Sequence, residues 1–424
     1  MRARSTRACE ALPAKAILIV VDGLTPAAFE NAVGDRSAPT ISRLAELGEY
    51  RRGVTTFPSL TPVCLTSLAT GAHPDVHHIP HLVWWNREER RIVEYGSSFG
   101  ALRSAGMRRS IRDTIVGMNQ RHLSKDAETI YEAVEARGGV AAAVNITCYR
   151  ATTRYLPTVP GIAPATYGPK RFFFYNLYES DPVGAPLSVR SRSAGSTDDY
   201  AAAAGRWLIT RDGFDLLVFY LSDVDFASHK HGPDGAHEAL ARSDAIIGSL
   251  VDAAGGADEL AERYALVLCS DHGQTHVHSA LRLEDHVGAT DVVAASNRAG
   301  MIYTNDPRAA AERLDGVAGV DCVLFLEDGE VVARRDGVED AALLDEFPDG
   351  RARATAALHN PNAGEVLVSA AAGWEFADLG GSHHAGGGSH GSLSLGDSEV
   401  PMLGIGVTPP ARTVDVKAAL LERL

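Results

Sequence analysis

Three apolar runs in this chain end in groups that bind metals. Ala16–Val21 (AILIVV) leads into Asp22, Leu216–Leu221 (LLVFYL) into Asp223 and Asp225, and Tyr264–Cys269 (YALVLC) into Asp271 and His272. Asp225 and His229 stand four residues apart, so on one turn of helix they share a face and can grip one ion. His390, in a Gly/Ser-rich stretch, could complete a site. Carboxylates gathered in one place repel one another unless a cation neutralises them. Asp and His donors suit zinc, and also manganese or iron. Two such sites side by side make a phosphoryl-transfer centre. Thr61 offers a hydroxyl just before Pro62, where helical periodicity begins. There it can cap a helix. The same place favours an alkoxide or a phosphate, so cap and nucleophile are compatible readings.

The elements that must position these residues can be read around them. Continuous apolar runs alternating with helical patterns predict a parallel sheet covered on both faces. In such sheets ligands sit beyond the carboxyl ends of the strands, where these carboxylates fall. Helices are predicted over Pro39–Gly48, Pro62–Thr70, Ala127–Arg137 and His237–Ala254, and a further strand over Val140–Ile146. Residues 1–15 read as a flexible tail, and residues 16–424 as one α/β catalytic domain. Residues 150–197, rich in Pro, Gly, Ser and aromatics, read as a long irregular insertion that could form a lid. Residues 281–377 carry shorter alternating runs and read as a small inserted α+β subdomain.

Composition narrows the function classes. Hydrophobic residues make up 45% and charged residues 22% of 424, enough for a large core, which excludes global disorder. Acidic residues outnumber basic ones by 54 to 40, a formal net charge of -14. Such a surface excludes a broad nucleic-acid groove, while a local cationic site or bound metal can still take a phosphate. The apolar runs fall far short of the ~18–20 residues that span a bilayer, so no membrane span is expected. The basic N-terminal stretch meets only a short apolar run before Asp22, so no signal peptide is read and a cytoplasmic location is expected. Five scattered cysteines without a CxxC pair predict reduced, mostly buried thiols.

The ordered motifs VVDG, TFPSLTPVCLTSLATGAHPDVHHI, YLSDVDFASHKHGP, SDHG and GSHGS resemble the alkaline phosphatase superfamily. Within it, the chain most resembles the type I phosphodiesterase/nucleotide pyrophosphatase family, from about Ala16 to Gly406. The resemblance implies an α/β/α sandwich with a mostly parallel central sheet, inserted cap elements and two divalent metal ions. Zinc is the expected metal, with manganese the other that suits the donors. The family's nucleophile lies ten residues before the Gly of a TG pair, and counting back from Gly71 gives Thr61. Thr55, Thr56 and Ser59 are rival hydroxyls. By resemblance, Asp225, His229 and His390 hold one metal on the side of the attacking water. Asp22, Asp271 and His272 hold the other, against the Thr61 oxygen.

The implied reaction is hydrolysis of a small-molecule phosphodiester or pyrophosphate by two in-line displacements through a phosphothreonine-type intermediate. A phosphonate or phosphomonoester hydrolase of the same superfamily is the alternative. A non-catalytic phosphate-binding scaffold is the alternative of another class. One departure stands out: many relatives carry Asn three residues after the nucleophile, and this chain has Cys64, a poor donor. His383 and His384 are rivals for the role of His390. His73, His77, His78 and His81 read mainly as loop or packing residues, and Trp84 and Trp85 as core packing or an apolar wall for substrate. The sequence carries no signal for oligomeric state.

Overall fold

The computed structural model describes residues 15–161, 163–180 and 197–424. The expected tail, but for Lys15, and residues 181–196 of the expected lid lie outside them.

An eight-stranded sheet organises the chain. Its order is Glu49–Val54, Glu399–Ile405, Ala265–Cys269, Ala16–Val21, Leu216–Leu221, Ala141–Val144, Arg171–Phe174 and Tyr178–Glu179. The five strands from Ala265–Cys269 to Arg171–Phe174 run parallel. Alternation along each strand explains the unbroken apolar runs. Leu18, Val20, Val218 and Val267 pack into one core layer, while Ile17, Ile19, Leu217 and Leu268 pack into the other. Helix Thr61–Thr70 and helix Ile130–Ala136 cover the first face. Helices Pro26–Asp35, Thr197–Thr210 and His237–Ala254 cover the second. The result is an alkaline phosphatase-like α/β/α sandwich.

Register carries the chemistry to one edge. Val21 pairs with Leu221 and Val20 with Cys269, so the residues after all three strands emerge together. A six-stranded antiparallel sheet is inserted between Ala265–Cys269 and Glu399–Ile405, spanning Val292–Ser296 to Val366–Ala370 in sequence. A third sheet joins Thr275–Leu281 to Gly373–Phe376 and Gly388–Ser389. Its Thr275–Ser389 pairing ties the chain after His272 to the chain before His390.

Two readings change. The stretch 150–197 is not irregular throughout, because Arg171–Phe174 joins the central sheet beside Ala141–Val144. Its Phe172 and Phe174 enter one core layer and Phe173 the other. Four residues between Pro and Gly signals are too short a run to stand out as a strand. The helix predicted from Ala127 starts at Ile130, because Thr129 and Glu132 form a reciprocal capping box. Residues Phe99–His122, which carry no clear pattern, form three consecutive helical segments, the last a π-helix. Among the described residues no helix is long and apolar enough to cross a membrane. Cys64, Cys148, Cys269 and Cys322 are buried and free, and Cys9 lies outside the described residues.

Candidate active site

The sheet edge brings Asp22, Asp225, Asp271 and His272 together. Asp22 extends the ladder, its N–H donating to Leu221 O at 2.9 Å. Gly23 then turns with φ +66, and a Cβ there would meet Asp225 at 3.1 Å. The glycine of VVDG is thus required twice, by its left-handed backbone and by the approach of the Asp225 side chain.

Asp225 and His229 lie on helix Asp223–His231, with His229 Nε2 3.3 Å from Asp225 Oδ2. The buried Asp198 carboxylate accepts from the Ser222 and Asp223 N–H groups and anchors that helix start. His390 Nε2 lies 3.7 Å from Asp225 Oδ1. His272 Nε2 lies 3.2 Å from Asp22 Oδ1 and 3.6 Å from Asp271 Oδ2.

Two groups of ligand atoms result, each within 4.8 Å: Asp22, Asp271 and His272, and Asp225, His272 and His390. His272 borders both. His229 joins the second group through Asp225. All three imidazoles are oriented alike, with Nδ1 against a backbone carbonyl. These are Gly388 O for His229 (2.9 Å), Gly273 O for His272 (3.0 Å) and Ser59 O for His390 (2.7 Å). An Nδ1–H donating there leaves each Nε2 with a lone pair aimed at carboxylates.

That arrangement suits a cation. Asp22 Oδ1 and Asp271 Oδ2 are buried with no hydrogen-bond partner. Burial pushes the Asp22 carboxyl well above its ordinary range, and the Asp271 and Asp225 charges push it further. Burial also raises Asp271. Burial acts upward on Asp225 too, but the attraction of His229, 3.3 Å away, outweighs it and holds that carboxyl low. Burial pushes His390 far down, which disfavours its charged form, as a metal-ligating imidazole requires. The donor set fits divalent cations.

Thr61 is the first residue of helix Thr61–Thr70, and Leu60 is its N-cap. No side chain caps this helix, so the expected capping role of Thr61 falls away. Its hydroxyl instead lies 3.1 Å from His272 Nε2. The rival hydroxyls are buried and turned elsewhere or enclosed. Thr55 Oγ1 donates to Asp271 O, Ser59 Oγ donates to Ser392 O, and Thr56 Oγ1 is sealed in the core. Cys64 is fully buried, its sulfur 3.9 Å from Thr56 O and Pro58 O.

A cleft of about 360 Å³ opens over Thr61, Asp22, Asp225, His229 and His390. Leu82, Tyr95, Met118 and Phe226 give it apolar walls, and Ser97, Thr114 and Thr147 line it too. Among the described residues no Lys or Arg lines it.

Other sequence readings resolve as follows. His384 stacks on His229 with ring centroids 4.0 Å apart and holds Glu375 through Nδ1 at 3.0 Å. It stands beside the second ligand group rather than in it. His77 and His81 are buried packing residues, as is Trp84. Tyr220 and Asn297 are among the cleft residues that escaped the sequence reading. Tyr220 donates its hydroxyl to Asp22 Oδ2, and its place near the end of an apolar strand was the available signal. Asn297 sits on a hairpin turn of the inserted sheet, with nothing in the local sequence to mark it.

Comparison with known proteins agrees with this fold. Among solved structures, the chain resembles phosphonoacetate hydrolase from Sinorhizobium meliloti 1021 in complex with phosphonoacetate. That match has a TM-score of 0.66, 18% identity, and coverage of 98% of this chain and 97% of the other. It also resembles murine ectonucleotide pyrophosphatase/phosphodiesterase 5, with a TM-score of 0.65, 15% identity, and coverage of 96% and 94%. At these identities the likeness concerns the fold. No curated protein sequence matches the chain significantly. Residues 16–393 match the sequence profile of type I phosphodiesterase / nucleotide pyrophosphatase, and the chain belongs to that family.

Proposed function

We propose that this phosphoester hydrolase is a divalent-metal-dependent phosphodiesterase with Thr61 as its nucleophile. The observation that carries the reading is the Thr61 hydroxyl, 3.1 Å from His272 Nε2, where the two ligand groups adjoin. Asp225, His229 and His390 are the residues for one cation, and Asp22, Asp271 and His272 for the other. Zinc fits these donors best and manganese next. When bound, the cations supply charge neutralisation and Lewis acidity at the phosphoryl group.

The residues do the rest. Thr61 Oγ1 attacks phosphorus as the bond to the leaving alcohol breaks, and the hydroxyl proton departs with that alcohol. Water then cleaves the phosphothreonine, entering opposite Oγ1, and one of its protons returns to Thr61. The backbone carbonyls behind His229, His272 and His390 hold the rings so that neither step needs reorganisation. The apolar cleft walls suit a neutral organic leaving group. A substrate carboxylate would find no lysine or arginine among the described lining residues, which weighs against a phosphonoacetate-type substrate. The buried free thiols suit a reducing, cytoplasmic setting.

The test compares kcat/KM of the zinc- and manganese-loaded protein on bis-p-nitrophenyl phosphate, p-nitrophenyl phosphate and phosphonoacetate. A diester preference supports the reading. Preference for the monoester or for phosphonoacetate transfers the protein to that branch of the superfamily.

A further inference from the structure

We propose that Asn297 holds a phosphoryl oxygen of the substrate, a step that rests on the phosphodiesterase reading above. Asn297 lies at the turn between strands Val292–Ser296 and Ala299–Tyr303 and points its side chain into the cleft beside His390. Its φ is +57, a backbone state that asparagine adopts more readily than most residues. The residue is 5% exposed, and its amide is oriented. Ser296 Oγ donates to Oδ1 at 2.7 Å, which directs Nδ2 the other way, 3.1 Å from His390 Nε2.

That last contact and ligation exclude each other. His390 commits Nδ1–H to Ser59 O, so Nε2 has one lone pair. In this structure the Asn297 amide uses it. A cation on Nε2 takes it over, and the buried amide N–H then lacks an acceptor, a costly state. The acceptor that enters this space with substrate is an anionic phosphoryl oxygen, and an amide donor is suited to it.

The nucleophile's own helix offers little competition. Pro62 has no N–H, and the Val63 and Cys64 N–H groups both donate to Leu60 O at 2.9 Å. Cys64, where an amide side chain was expected by resemblance, is enclosed in the core. The inserted sheet therefore contributes a reacting-group contact as well as covering the cleft.

The experiment uses the full-length protein loaded with zinc and the variants Asn297→Gly and Asn297→Asp. Glycine keeps the left-handed turn while deleting the amide. Three quantities are read: bound metal per chain, affinity for orthovanadate by calorimetry, and kcat on bis-p-nitrophenyl phosphate. The expected result is unchanged metal content, at least tenfold weaker vanadate binding, and kcat lower by about 10²–10³-fold, the usual cost of one oxyanion donor. Asn297→Asp weakens vanadate further, because a carboxylate repels it. Unchanged vanadate affinity in Asn297→Gly overturns the inference, and so does loss of metal, which would make Asn297 a support for His390 only. Wild-type protein that neither binds vanadate nor cleaves any ester overturns the parent reading, and this one with it.

Discussion

His272 and His390 stack face to face, with ring centroids 3.5 Å apart and planes 10° from parallel. They come from positions 118 residues apart (390 − 272), one after a central strand and one from the glycine-rich loop. Both rings have Nδ1 at a backbone carbonyl, so each presents Nε2 to the cleft. The Thr61 hydroxyl meets one Nε2 and the Asn297 amide the other. The Thr61 hydroxyl and the Asn297 amide are thus both placed against one imidazole stack.

Thr61→Ala should lower kcat on bis-p-nitrophenyl phosphate by about 10³-fold or more, roughly 4 kcal/mol of transition-state stabilisation. Thr61→Ser should restore part of it, since serine also offers an attacking oxygen. Steady-state kinetics with circular dichroism as a folding control reads this. Full activity in Thr61→Ala would remove Thr61 as the nucleophile.

Chelation should destabilise the wild-type protein, because unpaired carboxylates then face one another in a buried space. Zinc at a hundred times its dissociation constant should return about 2.7 kcal/mol. Asp22→Asn should behave oppositely, melting higher than wild type without metal and gaining little from zinc. Melting curves at pH 8 with and without chelator separate the two proteins. A wild-type melting point indifferent to chelator and zinc would count against the metal site.

Glu94 closes the loop that carries Gly96 and Ser97 into the cleft, accepting from both of their N–H groups. Burial pushes its carboxyl up from 4.5 to about 7, against those hydrogen bonds. The folded state therefore holds a proton that the unfolded chain releases. Its contribution is fully present below pH 4.5 and is lost as pH rises through 7. Glu94→Gln, which cannot ionise, should gain roughly 2–3 kcal/mol on wild type between pH 4.5 and 8 in urea melts. A pH-independent difference would show that Glu94 titrates alike in the folded and unfolded chain.

Arg298 and Asp397 form a fully buried ion pair at 2.7 Å, and the Arg298 N–H donates to His390 O at 2.8 Å. Arg298→Met strands the Asp397 charge and should cost about 3–5 kcal/mol in denaturant unfolding. Asp397→Asn in the same chain should recover part of that. Equal stability of the single and double variants would mean that Asp397 is already neutralised by its Ser392 and Thr275 donors.

Much of the fold was legible because burial on both faces leaves a plain mark. AILIVV, LLVFYL and ALVLC are strands, and the carboxylates that follow them reach one edge because parallel register aligns the strand ends. The spacing of Asp225 and His229 was legible because helix geometry is local. By itself, the sequence determined the central strands and their main helices, the edge where chemistry gathers and the family. Only the tertiary structure separated Thr61 from Thr55, Thr56 and Ser59, by burying those three hydroxyls in the scaffold and leaving Thr61 on the cleft. Only it showed that Arg171–Phe174 completes the central sheet, and that Asn297, 93 residues before His390, meets that imidazole. The physical reason is that periodicity reports which face of an element is covered. Which distant loop supplies the covering atom is set by strand pairing and packing across the whole chain.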